Sequence, residues 1–411
     1  MKYDVIVAGA GPAGATAAKI LGEAGISTLV LDKSTFPRDK PCGGGISARA
    51  MQRFPYLRAA LARIPVNWVP KIYFESPAGF ALDYHCADPL YLMVRRCEFD
   101  NLLFEIARPN VEFKASALIR KVSVDSEGVT VTADVCGEPR QYRVNILIGC
   151  DGANSVVARA CGLRTGAARD EYAIDMMEET PYEALDLAER DRMYVYYGFQ
   201  GRFGYGYIFP KANHINLGAG CKLDEYLAGF RGSHYRHHES FVEKRLADTI
   251  VKGKSDRKNF RAFPLPISGP LARTYTDRVL LCGDAGGFVN AFTAEGIYYA
   301  MVTGELAATA AILALRAKNF SQRYLQRYEQ AWKEELGVDL EKSVTIQRIL
   351  RQDISRVDRL VQEASRNRPL ADLLARYATG AVSYNSFKKS LLLRALPLYA
   401  QERARELLFH R

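Results

Sequence analysis

The stretch from Tyr3 to Ser34 constrains the fold more than any other part of the chain. A short apolar run, YDVIVA, is followed by a helical pattern, PAGATAAKILGEAG, and then by a second apolar run, STLVLDKS. This is the signature of a βαβ unit, with Gly9, Gly11 and Gly14 spelling G-x-G-x-x-G at its first turn. Gly9 permits the tight turn, Gly11 allows a pyrophosphate to approach the backbone, and Gly14 allows close packing of helix on strand. Pro12 falls in the first helical turn, where its missing N–H costs little. Asp32 closes the second strand, placed for its carboxylate to accept from a ribose hydroxyl.

Two later segments are expected to return to the same parallel sheet. NILIGCDGANSVVAR contains a strand ending at Asp151-Gly152, and DRVLLCGDAGG one ending at Gly283-Asp284. Ligands of open parallel sheets bind at the carboxyl ends of the strands, so both acids are expected beside the first glycine turn. Between them the pattern changes. DRMYVYYGFQ and FGYGYIFPKANHINLGAG alternate with period two and read as antiparallel strands, with Tyr205, Tyr207 and Phe209 on one face.

The predicted architecture is therefore α/β: a Rossmann-like dinucleotide-binding domain, an inserted antiparallel-sheet domain, and a helical C-terminal region. The expected boundaries are 1–65, 90–165 and 275–311 for the first, 66–89 and 166–274 for the second, and 312–411 for the third. The 411 residues suffice for this, and 48% hydrophobic with 25% charged residues is globular usage. Helix breaks in the last region are expected at Pro369, Gly380 and Pro397.

The net charge of +10 favours acidic partners, and from Glu341 onward 14 basic side chains face only 7 acidic ones. With amphipathic helices there, the tail fits an anionic membrane surface better than nucleic acid, since no base-stacking module accompanies it. Eight cysteines without a C-x-x-C pair read as reduced thiols, and the N-terminus enters a strand without room for a signal peptide. A cytoplasmic protein, peripheral to the inner membrane face, is the expectation. The apolar run IYYAMVTGELAATAAILAL is interrupted by Gly304 and Glu305 and reads as a buried helix. His234, His237 and His238 share helical spacing, but RGSHYRHHES reads as polar surface and no metal site is expected.

With GAGPAGATAA, DKPCGG, DGANSVVAR, GYGYIFP and GDAGGFVNAFTAEGIYYA in this order, residues 1 to about 310 resemble the flavoproteins built like para-hydroxybenzoate hydroxylase. Within that group the chain is most similar to the geranylgeranyl reductases. The resemblance implies FAD, held by Gly9, Gly11, Pro12, Ala13, Gly14, Asp32, Lys33, Cys42, Gly43, Arg96, Asp151, Gly283, Asp284, Gly296 and Ile297. It implies reduction of prenyl double bonds in a polyprenyl lipid, quinone side chain or chlorophyll-type tail, with NAD(P)H or another reductant as transient electron donor. Cys42 is implied near the flavin's reacting face, and Tyr205 and Tyr207 along the substrate channel. A helix starting near Thr293 is expected to aim its positive end at the flavin.

The chain departs from the family in two places. Relatives usually read N-P-x-T-G-E-G where this chain has Asn290-Ala291-Phe292-Thr293-Ala294-Glu295-Gly296, and Tyr207 stands where the reductases often carry tryptophan. Aromatic hydroxylases and halogenases share the scaffold, although the W-x-W-x-I-P of halogenases is replaced here by Tyr205-Gly206-Tyr207-Ile208-Phe209-Pro210. A flavin-bearing binding protein without catalysis is the remaining alternative.

Overall fold

The computed structural model describes residues 2–166, 169–198, 202–229 and 233–393. The first βαβ unit forms as its sequence dictates. Strand Val5–Ala8 and strand Thr28–Leu31 pair in parallel around helix Pro12–Glu23. All eight strand residues are buried, as continuous apolar runs in a parallel sheet require. The sheet has six strands, in the order Tyr275–Thr276, Val279–Leu281, Ile146–Gly149, Val5–Ala8, Thr28–Leu31, Glu112–Lys114. The first pair is antiparallel and the rest are parallel. The chain leaves Val5–Ala8 in one direction and resumes at Ile146–Gly149 on its other side. That reversal opens a crevice at the carboxyl ends of these two strands.

Helices Pro12–Glu23, Arg96–Ala107 and Ile297–Ala317 cover one face of this sheet in a shared apolar core. A three-stranded meander, Ala117–Val124, Val129–Val135 and Glu138–Val144, covers the other. Helix Ile297–Ala317 is long and apolar enough to cross a membrane, but most of it is buried against the protein. Its entry differs from expectation. The helix begins at Ile297 after the cap Gly296, not at Thr293, because residues 290–296 form a turn stapled by the Asn290 side chain.

A seven-stranded sheet stands beside this layer, in the order Phe260–Pro266, Tyr172–Pro181, His214–Lys222, Gly204–Pro210, Arg192–Tyr197, Lys71–Glu75, Ala81–His85. Only the pairing of Arg192–Tyr197 with Lys71–Glu75 is parallel. A smaller sheet of Gly45–Ser47, Tyr91–Met93 and Asn67–Val69 follows directly on the loop bearing Cys42.

The C-terminal helices are not a free amphipathic tail. Val357, Val361, Ala364, Ala371 and Ala375 of helices Ser355–Arg366 and Arg368–Ala378 bury their faces on Ile72, Phe74 and Leu82 of the sheet. Their amphipathic pattern is thus met by the protein's own core. Pro369 sits in the first turn of the last of these helices and Gly380 follows its end in a left-handed conformation, while Pro397 lies outside the described residues.

The histidine segment also corrects the reading from sequence. It is helix His234–Ala247, and His238 is fully buried, its Nε2 3.3 Å from the equally buried Glu178, which accepts from Ser255. His234 stacks on Tyr226. Among the described residues no group of His, Cys, Asp and Glu is arranged to hold a metal ion.

Candidate functional site

The crevice is built from backbone first. Gly9 adopts φ +99°, and a Cβ there would stand 2.4 Å from the carbonyl oxygen of Cys150. A Cβ on Gly14 would stand 1.8 Å from the carbonyl of Gly9, so both glycines are required by the protein's own packing. Gly11 is different: its Cβ would meet only the Arg38 guanidinium, at 3.4 Å. Gly296 is likewise open, with its nearest neighbours at 3.5 Å and beyond. These two positions lack side chains without a packing reason, as expected of walls that a ligand approaches.

Asp32 is buried and fastens the turn: Oδ2 accepts from the Ala10 N–H at 2.7 Å and Oδ1 from the Ser34 N–H at 2.8 Å. Each oxygen keeps a lone pair for a ribose hydroxyl. Lys33 beside it is exposed. Pro12 and Ala13 open the first helix. Ala13 is the contact point for Gly283 and Gly304, where added Cβ atoms would collide or crowd. Asp151 reaches the crevice by its backbone only. Its carboxylate accepts from the Ser155 hydroxyl and the N–H groups of Val156 and Val157, capping helix Val156–Ala160. The expectation that its acid faces the glycine turn is thereby corrected.

Arg96 and Arg38 share the fully buried Asp100. Arg96 binds it through two hydrogen bonds of 2.7 Å, and Arg38 lies 2.9 Å from the same carboxylate. The other terminal nitrogen of Arg38, Nη1, is buried without a hydrogen-bond partner. With Nη2 next to Gly11 and Nη1 bare, the Arg38 guanidinium suits a pyrophosphate oxygen. Lys40 caps the Phe263 ring at 3.6 Å, and burial pushes its ammonium down while Asp284 pulls the other way.

The crevice opens into a cavity of about 1030 Å³, counting its open mouth. One end is formed by Cys42–Gly45 and by 291–297; the other walls include Tyr91, Tyr205, Tyr207 and Phe209. Cys42, Gly43, Gly296 and Ile297 are thus brought together with both tyrosines. Tyr205 and Tyr207 hold different partners. The Tyr205 hydroxyl donates to the Thr293 carbonyl at 3.2 Å, and that of Tyr207 lies 3.2 Å from each oxygen of Asp175. Phe292 stacks between Tyr197 and Tyr377, continuing the aromatic wall to helix Arg368–Ala378.

Four contributors escaped the sequence reading. Lys211, directly after the GYGYIFP strand, is buried and donates to the Gly43 carbonyl, while Asn216 donates to the Cys42 carbonyl at 3.3 Å. Asp175 lines the cavity; burial pushes it up to about 6, with Tyr207 and Lys40 opposing. Helix Val338–Gln352 clamps the 290–296 turn: Ser343 accepts from the Ala291 N–H at 2.9 Å, and Gln347 donates to the Ala291 carbonyl at 2.8 Å. The signals available were a lysine closing a strand and the G-x-G of LGAG, neither specific alone.

The comparisons agree with this geometry. An FAD-binding domain family model matches residues 2–336. Digeranylgeranylglycerophospholipid reductase 1 of Methanopyrus kandleri is 31% identical over 348 residues, covering 82% of this chain and 87% of its own. A geranylgeranyl bacteriochlorophyll reductase-like protein from Thermoplasma acidophilum superposes with a TM-score of 0.79 over 95% of this chain and 98% of its own, at 21% identity. A flavin-dependent brominase superposes with a TM-score of 0.73 at 18% identity, over 97% and 99% of the two chains. At these identities the structures share the fold and say nothing of the reaction. The bare Arg38 nitrogen, the free lone pairs of Asp32 and the open faces of Gly11 and Gly296 fit FAD. The chain belongs to the FAD-binding domain family and, within it, to the geranylgeranyl reductase family of FAD-dependent oxidoreductases.

Proposed function

We propose that the protein reduces isoprenoid carbon–carbon double bonds, on a geranylgeranyl-type lipid, quinone side chain or chlorophyll-type tail. The observation that carries this reading is the cavity that joins the crevice at Cys42 and Gly296 to the aromatic wall of Tyr205, Tyr207 and Phe209. Bound FAD, reduced by NAD(P)H or another transient donor, supplies the hydride. The chain's own residues orient the alkene against an aromatic face, keep water out, and hold a proton for the second carbon. Anaerobic photoreduction followed by addition of a geranylgeranyl compound tests it. Flavin reoxidation with a product heavier by two hydrogens supports the reading. Flavin that stays reduced with prenyl substrates, but hydroxylates or halogenates an aromatic compound with oxygen, replaces it.

A lipid substrate places the protein, in this proposal, on the cytoplasmic face of the membrane as a peripheral protein. Leu391, Leu392 and Leu393 are exposed next to Lys388 and Lys389, a pairing suited to an anionic surface. Replacing the three leucines by serine should weaken binding to anionic vesicles in a salt-dependent way; equal binding by both proteins removes this part of the proposal.

A further inference from the structure

Asp175 and Tyr207 do not lie on neighbouring strands. Strand His214–Lys222 runs between them, with Asp175 opposite Gly220 and Tyr207 opposite Gly218. Neither glycine puts a side chain on the sheet surface. A Cβ on Gly218 would stand 2.7 Å from the Tyr207 hydroxyl, so that hydroxyl lies directly over the bare backbone. Crossing this gap, it reaches both oxygens of Asp175 at 3.2 Å. The next strand sets Phe263 opposite Asp175, and Lys40 covers that ring at 3.6 Å. Asp175, Tyr207 and Tyr205 all line the cavity that ends at Cys42.

Reducing one double bond takes two electrons and one hydrogen as hydride, the part supplied by reduced FAD, and one proton that the protein provides. A tyrosine alone is a weak proton source in this setting, because burial, with Asp175 next, holds the Tyr207 hydroxyl well above its ordinary range. A carboxyl group behind it changes that.

We propose that Asp175 loads the proton that this cavity gives to its substrate, delivered through the Tyr207 hydroxyl. The inference rests on the reductase reading above. The Asp175 O–H bond breaks as a new Tyr207 O–H bond forms, and the original Tyr207 O–H breaks as a C–H bond forms on the alkene. Both electron pairs remain on oxygen, and the negative charge ends on Asp175. Solvent reprotonates it between turnovers. Asp175 touches neither substrate nor cofactor in this scheme and acts through Tyr207.

The groups facing Asp175 are Tyr207, Lys40 and His238, all of which favour its charged form, with Tyr205 also sensing its charge. Burial outweighs them and brings the carboxyl up to about 6. The acid form is the donor, so the rate of anaerobic flavin reoxidation by a geranylgeranyl compound should be level below about pH 6 and fall tenfold per pH unit above it. Asp175→Asn should slow this step by about 10²-fold and abolish the pH dependence, with FAD binding retained. A second readout needs no substrate. In the oxidised, FAD-loaded protein, the infrared band of a protonated carboxyl should titrate near pH 6 and be missing in Asp175→Asn. It should persist to higher pH in Tyr207→Phe, which removes a hydrogen bond to the carboxylate. An Asp175→Asn protein with the wild-type rate and pH profile overturns the proposal, as does a carboxyl band whose titration midpoint is the same in Tyr207→Phe as in the wild type. If no prenyl compound reoxidises the flavin, the reductase reading fails, and the infrared titration still decides whether Tyr207 holds the Asp175 carboxyl.

Discussion

The ammonium of Lys211 donates to the carbonyl oxygen of Gly43, one residue from Cys42, although 168 positions separate the two in sequence. The lysine is 1% exposed, and burial brings it down to about 8 while Glu179 and Cys42 pull the other way. It ties the seven-stranded sheet to the loop that faces the crevice. Because the folded value lies below the ordinary 10.5, this group's contribution to stability is present above pH 10.5 and lost as pH falls through about 8. Urea denaturation should show a loss of up to about 3 kcal/mol between pH 10 and pH 7 that Lys211→Met lacks. The same variant should reduce alkenes at least about tenfold more slowly, because the Cys42 loop loses its anchor. A variant with full activity would show that the contact is packing alone.

The clamp on the 290–296 turn gives a second expectation. The Ala291 N–H, which a proline at this position would lack, donates to the Ser343 hydroxyl. Ser343→Ala leaves that N–H buried without a partner, which should cost about 1–3 kcal/mol in thermal or urea unfolding. Bound FAD should dissociate faster as well, measured by flavin fluorescence on dilution.

Ala294 adopts φ +57°, in the left-handed region that favours glycine. An L side chain there costs about 1–2 kcal/mol. Ala294→Gly should therefore stabilise the protein by about 1 kcal/mol, net of the entropy that glycine adds to the unfolded chain. A melting temperature that stays level or falls in scanning calorimetry would contradict this.

Glu295 is buried with neither oxygen in a well-formed hydrogen bond, and burial pushes it up to about 7 against the pull of Ser47 and Arg49. Its folded value lies above the ordinary 4.5, so the stability it contributes is complete below pH 4.5 and lost as pH rises through 7. Glu295→Gln should remove a decline of about 3 kcal/mol between pH 4.5 and pH 8. Denaturant midpoints of both proteins across that range check it.

Gly11 tests the cofactor crevice. Its Cβ would meet only Arg38, so Gly11→Val should fold normally by circular dichroism yet bind no FAD by absorbance. Gly14→Val, with a carbonyl 1.8 Å from the added carbon, should fail to fold instead. Equal behaviour of the two variants would remove the distinction.

The sequence by itself determined the features that depend on local geometry. A left-handed turn needs Gly9, a parallel strand buried on both faces needs an unbroken apolar run, and an exposed-then-buried strand needs period two. Such requirements can be read residue by residue, and the βαβ unit and the antiparallel strands followed from them. Helix Ile297–Ala317 was visible for the same reason, but not its first residue, because the Asn290 side chain closes a turn that holds the start back to Gly296.

Only the tertiary structure decided which side chains face which. Asp151 and Asp284 each follow a strand and a glycine or cysteine in much the same way, yet Asp151 turns to cap a helix. His238 reads as surface beside His237 and Glu239, and it is buried because Glu178 waits on a strand 60 residues earlier. Asp175 meets Tyr207 only across two glycines of an intervening strand, and Lys211 meets Gly43 only when two sheets come together. Pairings of this kind depend on sheet order and register, which no local pattern encodes. The crevice could therefore be read from the sequence, whereas the acid, the lysine and the helix that complete the site came from packing.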